Sequence, residues 1–104
     1  MINESKIPKV SVIMCTYNAE NFIKKAIFSA LNQLEVQEVI VIEDGSNDHS
    51  LEIIENICRE YSIVKLYRHK GGRNRGRSSS RNLGIKMASC DFIAFLDADD
   101  FYLE

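Results

Sequence analysis

Three carboxylates, Asp97, Asp99 and Asp100, follow the apolar run Phe92-Ile93-Ala94-Phe95-Leu96. Such a run suits a buried strand, and a parallel strand carries its acidic tip to the carboxyl edge of the sheet, where open α/β sheets bind ligands. Side chains alternate along an extended segment, so Asp97 and Asp99 share one face and Asp100 takes the other. Like charges this close need a cation, a donor network or a raised pKa to relieve them. A few oxygen ligands suit Mg²⁺ or Mn²⁺ held together with substrate phosphates, rather than a closed zinc site. Aspartate is also an ordinary turn residue, so this spacing gains meaning only from what accompanies it.

Positive charge accompanies it. No acid occurs between Glu60 and Asp91, whereas Lys65, Arg68, Lys70, Arg73, Arg75, Arg77, Arg81 and Lys86 all do. Within this span His69 to Asn82 is a glycine-punctuated stretch without a large apolar residue. It reads either as a solvated loop or as a phosphate-binding one, in which mobile glycines let backbone amides and bidentate arginines close on a diphosphate. A third polar cluster, Thr16-Tyr17-Asn18, ends the first apolar run. Tyr17 is suited to the rim of a pocket or to stacking on a flat base.

The elements that must position these groups follow from periodicity. Val10 to Cys15 is short, β-branched and nearly all apolar, a strand buried on both faces. From about Ala19 to Gln33, Phe22, Ile23, Ala26, Ile27, Ala30 and Leu31 recur at helical spacing, with Asn18 or Glu20 as cap. Glu38 to Glu43 is a second buried strand, ending in Asp44-Gly45-Ser46, with Ser46 or Asn47 to cap the next helix. That helix, roughly Asp48 to Tyr61, carries Leu51, Ile54, Ile57, Cys58 and Tyr61 on one side. Ser62 to Tyr67 is a third strand, a helix from about Ser78 uses Leu83, Ile85, Met87 and Ala88, and Asp91 to Asp97 is the fourth strand. Alternation of this kind predicts an α/β fold: a doubly wound, mainly parallel four-stranded sheet flanked by helices.

With 104 residues, 45% hydrophobic and 27% charged, the chain suits a single soluble domain. A net charge of −2 excludes a globally basic nucleic-acid binder. Cys15, Cys58 and Cys90 are odd in number and widely spaced, which suits reduced core residues rather than a disulfide frame. There is no membrane-length apolar run and no signal-peptide pattern at the start, so the cytoplasm is the expected location. Neither His49 nor His69 has a partner at ligand spacing, and neither is given a role.

Four stretches stand in a fixed order: Val10-Ser11-Val12-Ile13-Met14-Cys15-Thr16-Tyr17-Asn18, Glu43-Asp44-Gly45-Ser46-Asn47-Asp48, Asn74-Arg75-Gly76 through Arg81-Asn82-Leu83-Gly84, and Phe95-Leu96-Asp97-Ala98-Asp99-Asp100. Together they resemble the amino-terminal half of family 2 glycosyltransferases of the GT-A fold, over essentially the whole chain after Pro8. The resemblance implies an inverting transferase whose donor is a nucleoside diphosphate sugar, UDP-linked by preference, in polysaccharide biosynthesis. It implies that Tyr17 stacks on the base beside Thr16, that Asp44 reads the base edge, and that Arg77 and Arg81 lie near the diphosphate. By the same resemblance Asp97 approaches the ribose or the waters of the metal, and Asp99 holds the Mn²⁺ or Mg²⁺. The metal and the arginines would share one task, stabilising the charge on the departing nucleoside diphosphate.

Two departures stand out: Cys15 where the family pattern has proline, and Glu43 where it has the first aspartate of Asp-Asp-Gly-Ser. Glu43 reaches one methylene further, so an altered fit around base or ribose is expected. No residue matches the family's general base. The expectation is therefore a donor-binding half with little turnover of its own, residues 1–104 forming one domain, and a bare apolar edge on the fourth strand that invites self-association. Its acceptor would be a glycan or lipid-linked and its setting the inner membrane face, both through the full-length protein. Two other readings are a nucleotidyltransferase, which wants a glycine-rich basic loop directly after the first strand, and an RNA or polyanion module built on Gly71 to Arg77. The second lacks interleaved aromatics and has acidic strand tips beside it.

Overall fold

Val10–Thr16 forms β1, and of its residues only Val10 and Cys15 are partly open to solvent, as a continuous apolar run requires. Three further strands follow, β2 at Val36–Glu43, β3 at Val64–Arg68 and β4 at Phe92–Phe95. They assemble in the order β3-β2-β1-β4, and every pairing is parallel. The computed structural model describes residues 8–97, so Asp99 and Asp100 lie outside the described residues.

Helices α1 (Ile23–Leu31) and α2 (Ser50–Glu60) cover one face of the sheet. Ile23, Ala26, Ile27 and Ala30 of α1, with Ile54 and Ile57 of α2, pack with Val12, Met14, Val39 and Val41 in one core. Helix α3 (Arg77–Met87) packs against β1 and β2, toward the alternate side chains such as Ile13. It crosses at Gly84, where a Cβ would stand 2.3 Å from Ile13 Cγ2; only glycine lets the helix come so near. The core-facing positions of α3 are therefore Ser80 and Gly84, while Ile85, expected in the core, is 47% exposed.

From β1 the chain steps outward through β2 to β3, then returns through α3 to add β4 on the opposite side of β1. That reversal is the topological switch point of a doubly wound sheet, and a crevice opens at the carboxyl ends of the strands flanking it. Among the described residues β4 pairs with β1 alone, and Phe92, Ile93 and Phe95 stay exposed. No helix among the described residues is long and apolar enough to cross a membrane.

At the opposite, amino-terminal edge of the sheet, Glu38 is buried beneath the α3–β4 connection. Its carboxylate accepts hydrogen bonds from Ser11 Oγ (2.7 Å), the Ser89 amide (2.6 Å), Ser89 Oγ (2.9 Å) and Lys65 Nζ (3.1 Å). Burial pushes this carboxyl group up, but the donors prevail and hold it at about 2. Three strands and the α3–β4 connection are thereby tied to one buried charge.

Candidate functional site

The loops that follow β1 and β2 are bonded to each other before either enters its helix. Asn18 has a φ of 49°, a left-handed turn that asparagine tolerates; its amide donates to Ser46 Oγ at 2.9 Å and its Oδ1 accepts from the Asn47 amide at 2.7 Å. Ala19 donates to Ser50 Oγ at 2.9 Å, and Glu20 to Asp48 Oδ2 at 3.1 Å. Glu20 in return accepts from the His49 amide at 3.1 Å and lies 2.8 Å from His49 Nδ1, which raises the affinity of that imidazole for a proton. These bonds replace the caps expected from sequence. Neither Asn18 nor Glu20 caps α1, which has no side-chain cap, and it is Asp48 rather than Ser46 or Asn47 that accepts the Ser50 amide at the start of α2.

A second set of bonds ties the basic loop to the tip of β2. Asp44, 5% exposed, accepts the Arg75 amide on Oδ1 at 2.7 Å and the Gly76 amide on Oδ2 at 3.1 Å. Its main-chain carbonyl accepts Asn74 Nδ2 at 3.0 Å, and its amide donates to the Thr16 carbonyl at 2.8 Å. Gly45 makes this approach possible: its φ is +77°, and a Cβ there would stand 2.6 Å from the Asn74 nitrogen. Asp44 thus joins β1, β2 and the start of α3.

Between these walls lies a cleft of about 390 Å³, lined by Thr16, Tyr17, Phe22, Asp44, Arg77 and Asp97 together with Cys15, Asn18, Ala19, Asn74 and Gly76. Five of the residues singled out in the sequence, Thr16, Tyr17, Asp44, Arg77 and Asp97, meet there. Arg81 stands one helical turn behind Arg77; Arg77 Nη1 and Arg81 Nη2 lie 3.8 and 3.9 Å from Asp97 oxygens, and the Arg81 guanidinium sits over the Phe95 ring at 5.5 Å. Asp99 falls outside the described residues. Phe22, expected in the core, is 46% exposed and forms part of the lining instead. It was missed because it falls in the helical spacing one residue before α1 begins.

Several groups here have a definite chemical state. Thr16 is fully buried, and its Oγ1 has no hydrogen-bond partner among the described residues. Burial pushes the Cys15 thiol up to about 11, so it lines the cleft as a neutral thiol and not as a nucleophile. Glu43 is not in the lining. Its carboxylate accepts the Gly45 amide at 3.2 Å and the Ser46 amide at 2.6 Å and faces Arg68 Nε at 3.5 Å. The longer side chain therefore closes the turn after β2, and the altered fit expected around a base or ribose would act through that turn.

The donors in the lining fit a hard cation better than a soft one, since Asp44 and Asp97 offer oxygen and the thiol is protonated. No group of three or more metal-ligating side chains occurs among the described residues. Asp97 shares its charge with two arginines at distances beyond a hydrogen bond, which leaves their donors available to an anion. One residue that the sequence gave no reason to choose also belongs here. His69, 11% exposed at its side chain, sets Nε2 2.9 Å from Ser80 Oγ and 3.6 Å from Asp44 Oδ1.

Comparison with known proteins points one way. The model for glycosyl transferase family 2 matches residues 11–104. An uncharacterized glycosyltransferase of Haemophilus influenzae is 45% identical over 96 residues, which cover 91% of this chain and 38% of the relative. A cholesterol galactosyltransferase of Borreliella burgdorferi is 41% identical over 93 residues, covering 88% of this chain and 25% of that protein. Among solved structures, S. aureus TarS in complex with UDP-GlcNAc superposes with a TM-score of 0.77 at 34% identity, over 89% of this chain and 27% of the other. The chain spans less than half the length of each of these proteins.

Proposed function

The chain belongs to glycosyl transferase family 2, and from that premise we propose that it forms the donor-binding part of an enzyme that transfers a sugar, with inversion, from a nucleoside diphosphate to a glycan or lipid-linked acceptor. UDP is the proposed nucleotide, in keeping with the UDP-GlcNAc bound by the similar TarS. The observation that carries the reading is the Thr16 hydroxyl in the cleft lining, unpartnered among the described residues. A buried polar group without a partner costs about 1–3 kcal/mol, and a base edge bearing donors and acceptors offsets that cost. Tyr17, half exposed beside it, offers a stacking face. Asp44 can still share a base N–H, because each carboxylate oxygen has two lone pairs and the loop amides take one apiece.

Arg77 and Arg81 account for the diphosphate. At 65% and 44% exposure they can turn from Asp97 toward phosphate oxygens without leaving a buried charge unpaired. Asp99 is proposed to hold a divalent ion, Mg²⁺ or Mn²⁺, with Asp97 of the cleft lining approaching the ribose or the waters of the metal. When bound, such an ion supplies positive charge against the departing diphosphate. No cleft residue is proposed as the general base, and acceptor binding is proposed to belong to portions of the family outside this stretch.

Calorimetric titration of UDP into the folded chain with Mn²⁺, with EDTA and in Asp99→Ala tests the reading. Binding is expected to need the ion and to fall at least tenfold in the variant. Indifference to EDTA and to Asp99→Ala overturns the metal assignment, and failure of the folded chain to bind any nucleoside diphosphate overturns the donor site. Thr16→Val gives a second check. It removes a hydroxyl that has no partner among the described residues, so stability is expected to rise by about 1 kcal/mol while UDP affinity drops roughly fivefold. Opposite signs in melting and titration distinguish a ligand-directed hydroxyl from a structural one.

A further inference from the structure

We infer that His69 is a positioning residue for the nucleotide site, acting through Asp44 on the backbone amides of Arg75 and Gly76; the inference rests on the donor-site reading above. His69 and Ser80 are absent from the cleft lining, so neither is expected to touch a ligand. Yet His69 Nε2 faces Ser80 Oγ at 2.9 Å and Asp44 Oδ1 at 3.6 Å. Oδ1 is the same oxygen that accepts the Arg75 amide at 2.7 Å. Ser80 in turn donates its amide to the Gly76 carbonyl at 3.1 Å, closing a ring of contacts from the end of β3 through the first turn of α3 to the tip of β2.

The tautomer follows from the charges. An Nε2 lone pair turned toward a carboxylate 3.6 Å away is repelled, so Nε2 carries the proton and donates it to Ser80 Oγ. That N–H keeps positive edge density against Oδ1 on the side away from the cleft. Asp44 is thereby held in the rotamer that presents both oxygens to the loop. Asn74, Gly76 and Arg77, all in the cleft lining, stand where the loop stands. A side chain lacking the N–H removes that positive edge from beside the nearly buried Asp44 and leaves its carboxylate to the two loop amides alone, so the first group free to move is the loop itself.

Two substitutions separate this role from simple packing. His69→Gln keeps an N–H at about the reach of Nε2, whereas His69→Leu keeps bulk and loses the donor. UDP titration should show about tenfold weaker binding for His69→Leu and a change within threefold for His69→Gln. Amide hydrogen exchange, read without nucleotide, should accelerate at Arg75 and Gly76 in the leucine variant only. Equal loss in both variants assigns His69 to packing and overturns the inference, as does a leucine variant that matches the parent in both readouts. If the leucine variant does not fold, a tenfold loss in His69→Gln alone overturns it, and retained affinity with retained protection of both amides supports it. Failure of the parent to bind UDP defeats the donor-site reading, while the exchange rates still decide the positioning role.

Discussion

Glu38→Ala is expected to lower the unfolding free energy by about 3 kcal/mol, and the melting temperature of a domain this size by roughly 12–20 °C. The carboxylate collects four hydrogen bonds, but they do not weigh equally. Lys65 is 46% exposed and can return to water, so its share is small. Ser11 is fully buried, and the Ser89 amide loses its acceptor at the point where the chain leaves α3 for β4. Those two carry most of the cost. The same site sets an acid dependence whose sign is fixed: the folded carboxyl lies at about 2, below its ordinary 4.5. Its contribution is therefore fully present above about pH 4.5 and is lost as pH falls from there through about 2. Glu38→Gln, which cannot titrate, should flatten stability against pH across that window. A melting profile of Glu38→Gln as steep there as the parent's would contradict the assignment.

Glu38 also shows where sequence reasoning ends. The alternation of apolar runs was enough to predict a parallel α/β sheet, and its strands form within a few residues of their expected limits, because burial on both faces leaves a continuous apolar signature. The partners of Glu38 leave none: Ser89 is 51 residues away along the chain, and a serine after a helix reads as an ordinary polar turn. The helix starts failed for a related reason. Asn18 and Ser46 have the composition of caps, but each side chain accepts a backbone amide of the other loop instead, a choice that only the packed loops reveal. Ile85 was misassigned because propensity could not foresee that α3 would approach through a glycine.

The site was more legible. Thr16, Tyr17, Asp44, Arg77 and Asp97 come from three strand tips and one helix start, and the switch-point topology gathers such ends in one place. What sequence left open was which groups work on the ligand and which on one another. Glu43 is expected from its length to alter the fit around a base or ribose, and its carboxylate accepts the amides of the turn after β2. His69 was given nothing and faces Asp44. No spacing rule connects a histidine at the end of β3 with an aspartate at the end of β2, since strand register brings them together.

Asp44 is the residue on which the two kinds of role converge, and its substitution is the most informative at the site. Asp44→Ala is expected to cost about 3 kcal/mol, because two amide hydrogen bonds to a buried charge are lost at about 1.5–3 kcal/mol each in isolation and part is recovered by water entering the cleft. UDP affinity should fall by a hundredfold or more, since the loop that brings Asn74, Gly76 and Arg77 to the lining loses its anchor along with any contact to the base. Asparagine is not a conservative choice here. With Arg75 and Gly76 amides converging on separate oxygens, its NH₂ must face one of them, donor against donor, so Asp44→Asn should lose about half the stability. The two variants therefore order themselves by hydrogen-bond count. If Asp44 served the ligand alone, both would melt within about 3 °C of the parent while binding weakly. Melting temperatures spaced parent, asparagine, alanine, with affinity falling in the same order, would instead show that the carboxylate holds the wall of the site against which the nucleotide is read.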